Sequence, residues 1–267
     1  MERGTETVLI TGASSGIGRE IARWFAANRS ADTLLLAARS VDRLNFLKDE
    51  LSLVGVRTHV FPCDLSAPDG ADQLLDSVRG AGHQVSILVN NAGLGAAGKF
   101  LDVSLDSHED VIRLNIATLT RLTYLCLPDL LARRGRILQL SSTGAFQPGP
   151  YTSVYYASKA YVHSFSLALA NELKETGVTV SILCPGSVAT RFSQACGKKD
   201  LAGAMSPEKV ASYACPRLIK RKTLLIPGLK NKLAIFFSKL IPGSWSAHFV
   251  ARIQKPLLCQ KDGQETS

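Results

Sequence analysis

Tyr155 and Lys159 lie four residues apart, a spacing that puts both side chains on one face of a helix. A phenol titrates near pH 10 and is a slow proton donor or acceptor at neutral pH. A neighbouring ammonium favours the phenolate and is expected to lower that value by about one to three units, towards the range useful for acid–base chemistry. The Ser142 hydroxyl, at the end of an apolar run, is suited to hydrogen-bond a carbonyl oxygen beside the tyrosine and steady charge developing there. Tyr156 is the rival phenol. It is turned about 100° around the helix and is read as a packing residue. Alone, the tyrosine–lysine pair is an ordinary surface contact; proton transfer needs a reacting group held beside it.

The means of holding one stands at the other end of the chain, in Thr11-Gly12-Ala13-Ser14-Ser15-Gly16-Ile17-Gly18. An apolar run, Thr7 to Ile10, enters this stretch, and a helix-favouring run, Arg19 to Ala27, leaves it. Glycine allows the positive φ of a tight turn and removes the Cβ that would hold a backbone away from a pyrophosphate. A helix beginning near Gly16 would point unpaired N–H groups and its positive dipole end at the same place. The alternative is an ordinary strand-to-helix turn. One β-α-β unit later the run Thr33 to Ala38 ends at Arg39, where an acidic residue would bind the ribose hydroxyl of NAD and an arginine can neutralise the 2′-phosphate of NADP. Arg39 therefore favours NADP(H), unless it is only a solvent-facing residue at a helix start. Asp64, after the strand Val56 to Phe61, is placed either to accept from the adenine amino group or to cap its own turn.

The elements needed to position these groups alternate along the chain. Further strands are expected at Val85 to Val89, Arg136 to Leu140, Val178 to Leu183 and Thr223 to Ile226, and further helices at Asp69 to Gly80, Leu105 to Leu131 and Val154 to Lys174. Short apolar runs separated by helical patterns imply an α/β fold: a Rossmann-type, doubly wound parallel sheet of about seven strands flanked by helices. Asn90-Asn91-Ala92-Gly93 ends one strand, where amides would bond neighbouring backbone. Asn115 sits inside the long helix, where asparagine is a poor helix former, so it faces solvent or serves the site. Residues 191 to 205 lack a clear period and are read as a mobile substrate lid. Leu94, Ala145, Phe146, Tyr151 and Phe192 are candidate pocket liners, mostly apolar, and point to a hydrophobic ketone or alcohol.

Together Thr11-Gly12-x-x-x-Gly16-x-Gly18, Asn90-Asn91-Ala92-Gly93, Asn115, Ser142, Tyr155-x-x-x-Lys159 and Pro185-Gly186-x-Val188-x-Thr190 resemble the short-chain dehydrogenases/reductases from about Thr7 to Thr190. The resemblance implies a tetrad. Tyr155 would exchange the proton with the substrate oxygen, Ser142 orient that oxygen, Lys159 lower the tyrosine pKa and hold the nicotinamide ribose, and Asn115 help bind a relay water. It also implies that Gly12, Ser14, Ser15, Gly16, Ile17 and Gly18 cradle the cofactor, Asp64 and Leu65 border the adenine, and Asn91, Ala92 and Gly93 border the ribose. Pro185, Gly186, Val188 and Thr190 would meet the nicotinamide carboxamide and phosphates. Homodimers or homotetramers built through the Asn115 and Tyr155 helices are implied as well. The expected activity is NADP(H)-dependent interconversion of a ketoacyl, steroid-like or other lipid carbonyl with its alcohol; the alternative is a catalytically silent NADP(H)-binding regulator or scaffold.

Composition bounds the rest. The 267 residues are 46% hydrophobic and 20% charged, enough for one large globular domain, taken here as residues 1–228, with an extension at 229–267. Six cysteines without paired spacing suggest a reducing, cytoplasmic setting and no metal centre. Met1 to Gly4 runs straight into the first strand, which is read as no signal peptide. The net charge of +9 arises wholly beyond Gly197, where 13 basic residues face 4 acidic ones. No nucleic-acid partner is expected, because aromatics are not interleaved with these charges. Instead Leu229, Leu233, Phe236, Phe237 and Leu240, then Trp245, Phe249 and Ile253, fall at helical spacing among lysines and arginines. Such amphipathic helices either pack over the pocket or a subunit boundary, or lie on a membrane surface.

Overall fold

The structure, a computed structural model, describes residues 6–199 and 203–258. Its first strand, β1 (Thr7–Thr11), is buried along its whole length, as a continuous apolar run must be when helices cover both faces of a parallel sheet. Val8 and Ile10 enter one core with α1 (Gly16–Ala27) and α8 (Pro207–Ile219), around Ile21, Phe25, Val210 and Leu218. Leu9 enters the other with α3 (Gly70–Gly80) and α5 (Leu119–Arg133), around Leu74, Val78, Leu122 and Leu130. The period of two along the strand thus builds both layers.

The remaining strands are β2 (Thr33–Ala38), β3 (Arg57–Pro62), β4 (Ile87–Asn90), β5 (Arg136–Leu140), β6 (Thr179–Leu183) and β7 (Leu224–Leu225). They form one seven-stranded sheet in the order β3-β2-β1-β4-β5-β6-β7, parallel at every pairing. This is the doubly wound arrangement expected from the sequence. The order reverses between β1 and β4, where Ile10 pairs with Val89. In open sheets the crevice beyond the strand ends at that reversal receives ligands.

Two expected elements differ in form. The long helix expected from Leu105 is divided into α4 (Leu105–Ile112), a π-helical turn at Arg113–Thr118, and α5. The last strand is confined to two residues, Leu224 and Leu225, paired with Ile182 and Leu183, and only Leu225 is buried. α2 (Val41–Ser52) follows β2, and α6 (Ser153–Glu172) carries the tyrosine–lysine pair. α7 (Arg191–Ala195) gives helical order to the start of the segment read as a lid, whose residues 200–202 lie outside those described. Beyond β7, α9 (Leu229–Ser238) and α10 (Gly243–Gln254) meet at Pro242-Gly243. Among the described residues, no helix is long and apolar enough to cross a membrane.

Candidate active site

The glycine stretch leaves β1 as a loop and enters α1 at Gly16. Gly12 and Gly16 take φ of +65° and +55°, values that strain any other residue. A Cβ on Gly12 would come 2.8 Å from Asn91 Nδ2, and one on Gly18 would come 2.6 Å from the Gly12 carbonyl oxygen. Asn91 explains the crowding: its Nδ2 donates to the carbonyls of Thr11 (2.8 Å) and Gly12 (3.3 Å). Thr11 Oγ1 in turn accepts from the backbone N–H groups of Asn91 and Ala92, both at 3.0 Å. The end of β4 is therefore stitched to the loop after β1, leaving a backbone cradle at the sheet's reversal point. Neither Ser15 nor another side chain caps α1, so its first-turn N–H groups remain available to an anion. Thr190 closes the far side, since a Cβ on Gly16 would lie 3.1 Å from its Cγ2. These features fit a dinucleotide pyrophosphate.

Arg39 follows β2 directly, is exposed, and forms no salt bridge among the described residues. Asp64 is also exposed, and its Oδ1 accepts from Ser66 N at 2.9 Å, so the carboxylate caps its own turn. Leu65 is buried, with its carbonyl accepting from Thr118 Oγ1 at 2.9 Å. Pro185 accepts from Thr143 N at 2.9 Å, and Val188 pairs with Met205 in a parallel bridge.

The four groups expected to do chemistry converge across β5, α6 and the π turn. Lys159 Nζ donates to the Leu140 carbonyl at 2.8 Å, while Ser141 Oγ donates to the Lys159 carbonyl at 2.9 Å, locking α6 to the end of β5. The Tyr155 hydroxyl lies beside Ser142, whose Oγ accepts from Gly144 N at 3.0 Å. Asn115 Oδ1 accepts from Leu94 N, and its Nδ2 donates to the Leu94 carbonyl and to Ser158 Oγ, each at 2.9 Å. The extra residue of a π turn re-aims a side chain that a regular helix would point elsewhere. Here it lets a buried asparagine clamp Gly93-Leu94 beside Lys159.

The electrostatics correct one expectation. Tyr155 is half-buried, and the loss of solvent around its hydroxyl pushes its pKa up; the neighbouring Ser142 hydroxyl opposes the rise without reversing it. The expected lowering by Lys159 is absent because its ammonium stands 5.7 Å from the ring centroid and is itself disfavoured by burial, which pulls it down to about 8. Tyr155 is thus held protonated by the protein's own groups.

Residues 6–201 match the short chain dehydrogenase family. The chain is 31% identical over 244 residues to ketoacyl reductase HetN of Nostoc sp., covering 88% of this chain and 83% of that protein. Among solved structures it resembles a short-chain dehydrogenase from Sphingobium yanoikuyae in complex with NADPH. That match has a TM-score of 0.77 and 30% identity over 98% of each chain. It also shares its fold with a Burkholderia phymatum short chain dehydrogenase/reductase in complex with NAD, with a TM-score of 0.78 and 23% identity over 88% of this chain and 93% of that one.

The chain is a short-chain dehydrogenase.

Several residues around the site of this short-chain dehydrogenase escape sequence reasoning because their partners are distant in the chain. Gln254, buried on α10, donates through Nε2 to the Tyr156 hydroxyl at 3.0 Å and through Oε1 accepts from Lys198 Nζ. Tyr156 packs over Gly144 and Gly149, the packing role expected of it. Lys199 N donates to the Leu257 carbonyl at 2.9 Å, so the segment read as a lid is laced to the C-terminal extension. Asn231 of α9 fills the space a Cβ on Gly186 would need. Phe192 lies 5.4 Å from the Tyr155 ring, and Gly95 leaves room for Phe192 and Cys196 beside it. Phe146 meets the His163 ring at 4.6 Å with the planes inclined at 60°, and carries Lys239 over its own ring. Of the expected liners, Phe192 is placed against the tyrosine ring. The described cysteines are all free; Cys259 lies outside the described residues.

Proposed function

We propose that this short-chain dehydrogenase reduces an apolar ketone to a secondary alcohol with NADPH, and that it runs the reverse reaction when the alcohol is supplied. The observation that carries the reading is the half-buried Tyr155 phenol beside Ser142, set next to Lys159 and at the same end of the sheet as the glycine cradle. The bound dinucleotide would supply the hydride. Gly12, Ser14, Ser15, Gly16, Ile17 and Gly18 would hold its pyrophosphate, and Asp64, Leu65, Asn91, Ala92 and Gly93 its adenosine side. Pro185, Gly186, Val188 and Thr190 would hold the nicotinamide side.

Ser142 Oγ would hydrogen-bond the substrate carbonyl oxygen, and the Tyr155 hydroxyl would give that oxygen its proton. Lys159, Asn115 and the Ser141 bond keep the phenol and the nicotinamide ribose site in fixed relation. A phenol raised in pKa is protonated at neutral pH, the form that reduction requires. Phe192 against Tyr155 gives the substrate an aromatic wall, which supports an apolar carbonyl such as a ketoacyl or steroid-like group, and the likeness to a ketoacyl reductase agrees with it. Arg39, exposed and unpaired, is the residue proposed to select the 2′-phosphate. Exposed Tyr124 on α5 and Leu167 on α6 support a homodimer or homotetramer through those helices, and the free cysteines support a reducing, cytoplasmic setting.

The test is nicotinamide oxidation over a panel of ketoacyl thioesters, steroids, quinones and small aldehydes with NADPH and NADH. Turnover of an apolar ketone with NADPH is expected, and Arg39→Ala should raise the KM for NADPH about tenfold or more through loss of charge-assisted bonds while sparing NADH. Preference for NADH, or indifference of NADPH to Arg39→Ala, would overturn the cofactor assignment. Turnover confined to small polar aldehydes would overturn the substrate class.

A further inference from the structure

α9 and α10 each turn one side to the fold and one to water. Inward, Ile235, Val250 and Gln254 are buried, and Lys239 and Gln254 reach Phe146 and Tyr156 of the site. Closing over the site accounts for that side alone. Outward stand Leu233, Phe236 and Leu240, then Trp245, Phe249 and Ile253, at helical spacing. Phe236 is 58%, Trp245 71% and Phe249 63% exposed. Large apolar side chains grouped on a surface mark an interaction site. Their setting is of one sign: residues 229–258 contain Lys230, Lys232, Lys239, Arg252 and Lys255 and neither Asp nor Glu.

We propose that this outer face docks on an anionic lipid surface. The charge is complementary to such a surface, and each basic side chain near it adds attraction while the aromatic rings enter the boundary between headgroups and acyl chains. At about 1.5 Å per residue, helices of 10 and 12 residues are far too short to cross a hydrocarbon core about 30 Å thick, so they lie in its plane. A second copy of the chain is a poorer occupant, because two-fold pairing of this face would oppose one basic surface with itself. Docking would set the mouth of the site at the bilayer boundary, where an apolar carbonyl concentrates. That consequence rests on the reaction proposed above, whereas the docking does not.

The test is flotation of the full-length protein with phosphatidylcholine vesicles, with and without phosphatidylserine. It is joined to Trp245 fluorescence in a Trp24→Phe background, since Trp24 is the only other tryptophan. The protein should float with the anionic vesicles, its emission should move to the blue, and added salt should weaken both. Phe236→Ser with Phe249→Ser, and separately Lys230→Glu with Lys232→Glu, should each cut vesicle binding about tenfold or more at an unchanged melting temperature. No flotation of the full-length chain, or flotation that both double variants retain, would overturn the proposal. So would self-association that the phenylalanine substitutions abolish, because the face would then belong to a second copy. No readout uses turnover, so vesicle binding by an inactive protein would count against the proposed reaction alone.

Discussion

Lys159 is an ammonium enclosed by protein, with the Leu140 carbonyl as its hydrogen-bond acceptor. Burial pulls its pKa from 10.5 to about 8, so the folded state gives up this proton more readily than the unfolded chain does. Below pH 8 both folded and unfolded chains carry the proton and the full cost of burying the charge is present. Between pH 8 and 10.5 the unfolded chain holds more protons than the folded one, so stability attributable to this residue rises with pH. Denaturant titrations of wild type and Lys159→Met across that range should show the wild type gaining about 3 kcal/mol relative to the variant. A constant difference would mean that the ammonium is not buried as described. This residue was legible in the sequence as the partner of Tyr155, and so was the packing role of Tyr156. The direction of the tyrosine shift was not: spacing reveals which groups are neighbours, whereas burial, which raises the phenol's pKa here, belongs to the folded surroundings.

At the scale of elements, the glycine loop depends on Asn91 holding the end of β4 against the backbone of Thr11 and Gly12. Gly18→Ala would drive a Cβ to 2.6 Å from the Gly12 carbonyl and 2.5 Å from Asn91 Nδ2, and neither neighbour can retreat without breaking that contact. The variant should lose about 1–3 kcal/mol of stability and bind NADPH at least tenfold more weakly, read by thermal melting and by quenching of protein fluorescence. Unchanged affinity would place the dinucleotide elsewhere. The loop was readable because its glycines answer a backbone need that no other residue meets. The π turn was not, since periodicity continues across it; only the unsuitability of Asn115 to a helix interior hinted at a special geometry. The link from Gln254 to Tyr156 spans 98 residues and has no local signature. Sequence therefore left open what the C-terminal helices pack against, and the structure places Gln254 on Tyr156 and Lys239 on Phe146.

For the whole molecule, the fold was legible because β1 and β2 are uninterrupted buried runs set between helical patterns, which only a parallel sheet covered on both faces accommodates. The reversal between β1 and β4 brings the glycine loop and Asn91 together, and β5 carries Ser142 to the same carboxyl end of the sheet, where α6 presents Tyr155. The central claim is that Tyr155 supplies the proton for carbonyl reduction by NADPH. The most direct measurement is NADPH oxidation with one accepted apolar ketone by wild type and Tyr155→Phe, alongside NADPH affinity. Loss of the hydroxyl should cut kcat by about a hundredfold or more while leaving the Kd for NADPH within about twofold. Turnover by the phenylalanine variant near the wild-type rate would contradict the claim and assign the proton to another group.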